Sequence, residues 1–122
     1  MTLVTTRIVL FATGFALWAL TSVLPWGDPV HEGWDRPVYW QVGLPVAFAV
    51  QLIVAIMSAE RITRAPLWVL LGHSVAMLFI ARSGSIGLLP LSVLLVGVPL
   101  YLMLLAASFI GQMVRRRTGL RS

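Results

Sequence analysis

Long apolar stretches alternate with short polar segments along the whole chain. The apolar stretches cover residues 8–24, 38–59, 66–81 and 89–114. A helix needs about 20 mostly apolar residues to cross the hydrocarbon core of a bilayer. None of the stretches alternates polar with apolar residues, as the strands of a membrane barrel do. The pattern predicts an all-α protein with a single domain, residues 1–122, folded as a polytopic membrane bundle of four transmembrane helices.

The composition supports this prediction and excludes several other classes of protein. Hydrophobic residues make up 59% of the chain and charged residues only 11%, whereas soluble domains carry about 25% charged residues. A soluble enzyme, a disordered segment and a nucleic-acid-binding module are therefore excluded. The chain has no cysteine, which excludes disulfides and Cys-ligated metal sites. The first stretch lacks a clear cleavage site before Pro25, so we expect a retained span rather than a signal peptide.

The arginines predict how the chain is threaded. All nine cationic side chains are arginine, which suggests a bacterial gene and therefore the bacterial inner membrane. Only Arg36 and Arg82 lie in the first and third joints between stretches, and the other seven lie at the two ends or in the second joint. Because arginine collects on the cytoplasmic side of membrane proteins, we expect both termini in the cytoplasm. Residues 25–37 then form an outer loop and residues 115–122 a cytoplasmic tail.

Two prolines fall inside predicted helices. Pro45 and Pro99 lack the N–H that would bond the carbonyls of Gln41 and Leu95 in a regular helix. We predict a kink at each proline. One interpretation is structural, since neighbouring helices can satisfy the freed carbonyl. The other is a hinge or a bent wall of a pocket.

Two polar side chains at membrane depth are the main intramembrane candidates for a functional role. Gln51 lies in the second stretch and His73 near the middle of the third. The structural interpretation is that a neutral His73 bonds across helices to Gln51, to Ser108 or to a backbone carbonyl. Haem ligation and a proton relay are the alternatives. Both are disfavoured because the chain has no second intramembrane histidine and no acid at mid-membrane.

Small residues predict where helices approach closely. Gly72 and Ala76 are four residues apart, a spacing that lets two membrane helices pack at short distance. Packing within the bundle and docking of a partner's helix both remain open. The same spacing occurs in three other pairs, Ala12 with Ala16, Ala55 with Ala59, and Ala107 with Gly111.

The segment from residue 26 to 40 is the most chemically dense part of the chain. It holds three of the five tryptophans and three of the four acids. An aromatic belt at the membrane surface is one interpretation. The other is a recognition loop that contacts a partner or lipid headgroups, because tryptophan and arginine dominate binding hot spots. The candidates are Trp26, Trp34, Arg36 and Trp40. A metal site of Asp28, His31, Glu32 and Asp35 lacks the spacing of known Ca²⁺ or Zn²⁺ motifs, so no metal is predicted.

No catalytic motif is present. The sequence contains no phosphate-binding loop, no nucleophile elbow and no zinc-binding helix motif, so we predict no catalytic residues and no cofactor. We expect a small non-catalytic integral membrane subunit that packs within a larger respiratory or transport assembly, stabilising it or contacting lipid. Its expected partners are membrane lipid and other integral subunits, or further copies of itself. The alternatives are a homo-oligomeric channel or transporter for an apolar or lipid-like solute, and a haem-binding redox subunit.

Overall fold

The computed structural model describes residues 1–23, 37–80 and 89–119, with the side chains of residues 22, 23, 80 and 89–93 left out. These ranges form four helices and contain no strand. The helices are α1 (Leu3–Val23), α2 (Leu44–Met57), α3 (Ala65–Ile80) and α4 (Leu89–Thr118), and a π-helical turn (Tyr39–Gly43) leads directly into α2. The predicted all-α architecture is therefore confirmed over the described residues.

Three helical segments are long and apolar enough to cross a membrane. They are Leu3–Thr21, Tyr39–Met57 and Leu94–Thr118. The third helix in the chain, α3, is apolar but has only 16 residues, which corresponds to roughly 24 Å at about 1.5 Å per residue. Helix α3 is described up to Ile80, where the described residues stop, so this is the length of its described part.

The first and last helices of the chain, α1 and α4, extend further than the apolar pattern predicts. Helix α1 begins at Leu3 rather than at residue 8, and α4 continues to Thr118 rather than ending at residue 114. Arginines in the last turn of α4 interact favourably with the negative end of the helix dipole. The helix ends at Gly119, whose φ of 70° suits a left-handed terminating residue.

Helices α1 and α3 make the most extensive contact in the bundle, and α2 and α4 make the next. The first contact depends on a pair of glycines that face each other's helix backbone. A Cβ atom at Gly14 would overlap the carbonyl oxygen of Val69, and a Cβ atom at Gly72 would overlap the carbonyl oxygen of Phe11. Gly72 and the fully buried Ala76 thus lie at an interface within the chain.

The contact between α2 and α4 is also close, although it is less tight. A Cβ atom at Gly111 would lie 2.5 Å from the Cβ atom of Ala55 and 2.8 Å from the carbonyl oxygen of Leu52. Ala107 and Leu104 are completely buried on the same face of α4. The small-residue pair of Ala107 and Gly111 therefore packs inside the bundle.

The two intrahelical prolines have different surroundings. The π-helical turn ends just before Pro45, and the N–H of Leu44 donates to the carbonyl of Tyr39, five residues earlier. This wider turn is the local departure from α-helical geometry near Pro45. Pro99 lies inside α4, which continues on both sides of it.

Candidate functional site

A buried aromatic and polar cluster joins three parts of the bundle. The hydroxyl of Tyr39 and Nε2 of His73 are 3.0 Å apart, and the rings of Trp18 and His73 meet edge to face with centroids 5.2 Å apart. All three side chains are at most 4% exposed. The cluster therefore ties the π-helical turn and α1 to the middle of α3.

The partner of His73 differs from those that the sequence suggests. Neither Gln51 nor Ser108 contacts the imidazole, and the bond runs to Tyr39 instead. Since Nε2 is a common iron ligand and is already bonded here, His73 as it stands does not offer this atom to a haem. The geometry fits a structural role, in which one polar bond fixes the depth of α3 relative to the start of α2.

Gln51 forms a second interhelical polar contact. Its Nε2 atom donates to the hydroxyl of Ser108 at 2.7 Å, which links α2 to α4. Both residues are buried, and Oε1 of Gln51 has no partner within the described part of the chain. Gln51 and His73 are thus both buried within the single chain, and they bond to different residues.

A third polar cluster lies where α1 begins, α2 ends and α4 ends. We call this set of residues the basal cluster, and it comprises Thr6, Arg7, Ser58, Glu60, Gln112 and Arg115. Arg7 and Glu60 form an ion pair with a 2.7 Å separation between Nε and Oε2. The hydroxyl of Thr6 donates to that of Ser58 at 2.8 Å, and Arg115 donates to the carbonyl of Ser58. The basal cluster fastens both ends of the described chain to the joint between α2 and α3.

The charge of Glu60 is stabilised by its surroundings. Burial alone would raise the pKa of this carboxyl group. The bond from Arg7, the backbone N–H of Arg61 and the charges of Arg7 and Arg64 together outweigh that effect, so the pKa lies below its usual value of 4.5. Glu60 is therefore ionised in the folded protein at neutral pH.

Most of the predicted loop contacts fall on residues outside the described ranges. This applies to Trp26, Trp34 and Arg36, and to the acids and histidine considered as metal ligands. Trp40 is described and is 51% exposed, with its ring 5.2 Å from that of Tyr39. It lies beside the residue that bonds His73, on the outside of the bundle.

A groove of about 320 Å³ runs between α3 and α4. Its walls are mostly aliphatic, and the polar groups at its edge are His73, Ser74 and Tyr101. The hydroxyl of Tyr101 donates to the carbonyl of Thr63 at 3.1 Å, so one end of the groove reaches the joint between α2 and α3. Gln51 does not border it.

Comparison with protein families, with curated proteins and with solved structures found no match to this chain. The function is therefore inferred from the arrangement of its own residues.

Three residues central to this arrangement were not singled out from the sequence. In the sequence Tyr39 is one of several aromatic residues in segment 26–40, and Glu60 is a charge in a short joint between two apolar stretches. Gly14 has Leu10 and Trp18 four residues away, so no small-residue spacing marks it. A signal for the ion pair exists in retrospect, since Glu60 is the one acid outside residues 26–40.

Proposed function

We propose that this chain is an integral membrane protein of the bacterial inner membrane and a non-catalytic subunit of a larger membrane assembly. Both termini lie in the cytoplasm in this proposal, on the side of the basal cluster. Four of the nine arginines lie in the last eight residues and two more in the joint between α2 and α3, which supports the orientation.

The use of polar groups inside the bundle carries the proposal. Tyr39 bonds to His73 and Gln51 bonds to Ser108, so the strongest polar groups at membrane depth connect helices. A site that binds or transforms a polar substrate needs polar groups directed into a cavity. Here the polar groups bond to one another across the bundle, as expected for a subunit whose role is structural.

The outer surface of the bundle supports both the membrane location and the partner. Large apolar side chains are more than half exposed on each helix, among them Ile8, Ile53, Leu78 and Leu102. Phe79, near the described end of helix α3, is 80% exposed. Such a surface is stable against lipid or against the apolar face of another integral subunit.

The assembly is tested by purification from native membranes. A tagged chain extracted in mild detergent should bring down one or more integral membrane proteins in a fixed ratio, identified by mass spectrometry. Recovery of the chain alone would contradict the proposed subunit role. Recovery with copies of itself only would favour a homo-oligomeric channel or transporter instead.

The orientation is tested by cysteine labelling, because the natural chain has no cysteine to remove. Thr2→Cys and Ser122→Cys should react with a membrane-impermeant maleimide only after the cells are opened. Glu32→Cys, in the predicted outer loop, should react in intact cells. Ala12→Cys, exposed on the apolar face of α1, is the control that should stay unlabelled in both. The opposite pattern for the terminal positions would overturn the orientation.

A further inference from the structure

We propose that the groove between α3 and α4 binds one anionic glycerophospholipid, with an acyl chain in the groove and the phosphate at Arg61 and Arg64. The inference rests on the proposed membrane location, but it does not depend on the proposed partner subunits.

The shape and chemistry of the groove fit an acyl chain. It is open along its length, where Leu67, Leu94 and Val98 are each at least half exposed. Its volume of about 320 Å³ is at the lower end of the roughly 300–1,000 Å³ of ligand clefts. The polar atoms at its edge are partly committed, since His73 bonds to Tyr39 and Tyr101 bonds to Thr63. An apolar chain therefore suits this groove better than a polar molecule.

The groove ends beside two exposed arginines. The hydroxyl of Tyr101 reaches Thr63, the residue before Arg64, and the N–H of Leu67 donates to the carbonyl of Arg64 at 3.1 Å. A chain that fills the groove next to Leu67 thus brings its headgroup within about one helical turn of Arg64. Arg61 lies in the same turn, where its carbonyl accepts from the N–H groups of Arg64 and Ala65.

The positive charges of Arg61 and Arg64 are accessible to an anionic headgroup. Both are exposed, and within the described ranges neither guanidinium takes part in an ion pair. The acid of the basal cluster, Glu60, is already paired with Arg7. The groove between α1 and α2 is also apolar, and the described lining of neither groove contains a cation. The α3–α4 groove has instead an exposed arginine directly beyond its lining, since the N–H of Leu67 donates to the carbonyl of Arg64. The combination of an apolar groove and a cationic end selects the α3–α4 groove and an anionic headgroup.

The test is native mass spectrometry of the purified chain in detergent. Phosphatidylglycerol and phosphatidylcholine with the same acyl chains are added separately over a range of concentrations. The natural chain should retain one phosphatidylglycerol at concentrations where phosphatidylcholine is not retained. Excess glycerol phosphate should not displace it, because a headgroup alone lacks the chain that fills the groove.

Matched variants separate this site from general attraction between charges. The pair Arg61→Gln and Arg64→Gln should weaken retention of phosphatidylglycerol roughly 30-fold, since each arginine near an anionic headgroup contributes about fivefold. The pair Arg116→Gln and Arg117→Gln removes the same charge from exposed positions of α4 and should change retention little. Equal losses from both pairs would overturn the proposed site.

A second comparison tests the groove itself. Leu67→Trp fills the groove beside Arg64 and should weaken lipid retention at least tenfold. Leu71→Trp is the control, because Leu71 is similarly exposed on α3 but does not border the groove. The same loss in both variants, with both still folded by circular dichroism, contradicts the proposal. If the natural chain retains no phosphatidylglycerol but still recovers partner subunits, the lipid site is refuted and the subunit role stays intact.

Discussion

The close approach of α1 and α3 at Gly14 and Gly72 makes the sharpest prediction about stability. In the folded protein each glycine faces the backbone of the other helix, so a methyl group at either position overlaps a carbonyl oxygen. Rotation of a side chain cannot relieve the overlap at either position, because the overlapping oxygen belongs to the main chain. Gly72→Ala therefore requires α1 and α3 to separate.

The size of the effect follows from the overlap. The two helices must move apart by roughly 1.5 Å before the new methyl reaches ordinary van der Waals distance. That movement also loosens the contact of Trp18 with His73. Overpacking of a tight interface costs about 1–3 kcal/mol, so the ratio of folded to unfolded protein should fall about 5- to 150-fold.

The assay is reversible unfolding in mixed micelles, with increasing fractions of sodium dodecyl sulfate and detection by tryptophan fluorescence and circular dichroism. Alanine is intrinsically favoured over glycine in a helix by about 1 kcal/mol, which partly offsets the overlap. The control for this preference is Ala12→Gly, on the exposed face of α1.

Gly14→Ala should lose stability in the same way as Gly72→Ala. Gly111→Ala should lose less, because its nearest neighbour is the side chain of Ala55. If Gly72→Ala were as stable as the natural protein, or more stable by the preference measured at Ala12, the close approach of α1 and α3 would be refuted.

Three further predictions concern the polar contacts, and each is measured by the same unfolding assay. Tyr39→Phe removes the bond to His73 and should cost about 0.6 kcal/mol, the average for interhelical bonds in membrane proteins, and at most about 1.7 kcal/mol; an unchanged stability would show that the bond contributes nothing. Ser108→Ala leaves the buried amide of Gln51 without its partner and should cost about 1–3 kcal/mol of stability. Adding Gln51→Leu to Ser108→Ala should restore most of this loss, because no polar group is then left unpaired. A double variant that is less stable than Ser108→Ala alone would contradict this account. The pKa of Glu60 is lowered from 4.5 in the folded state, so its carboxylate stabilises the fold above pH 4.5, and this contribution is lost as the pH falls through the lowered pKa. Glu60→Gln should lack this acid-dependent loss of stability. A pH profile identical to that of the natural protein would disprove the role of the ion pair.

The positions of the helices are largely predictable from the sequence, because a helix that is apolar enough to cross a membrane can be recognised by the length of its apolar run. The ends are less predictable. Three consecutive arginines usually mark the end of a span, so the sequence predicts Arg115 in a tail. The helix continues because the guanidinium of Arg115 reaches across to the carbonyl of Ser58 at the end of α2, a contact that depends on the tertiary fold.

The sequence predicts which buried polar residues form the candidate site, but it does not predict their hydrogen-bond partners. Gln51 and His73 stand out because they lie within long apolar stretches, and each forms a bond to another part of the bundle. Which partner each one finds depends on how the helices are rotated and on their relative depth. The π-helical turn before Pro45 sets the direction of Tyr39, and no residue spacing signals such a turn in advance.

The pairing of α1 with α3 and of α2 with α4 has a consequence for biosynthesis. Neither of these two largest contacts lies within the first half of the chain. Ribosomes add roughly 5–20 residues per second, so the first two helices emerge seconds before the surfaces that will hold them. The two largest contacts can form only once α3 and then α4 are made, and a nascent chain stalled at Met57 holds two helices without the main partner of either.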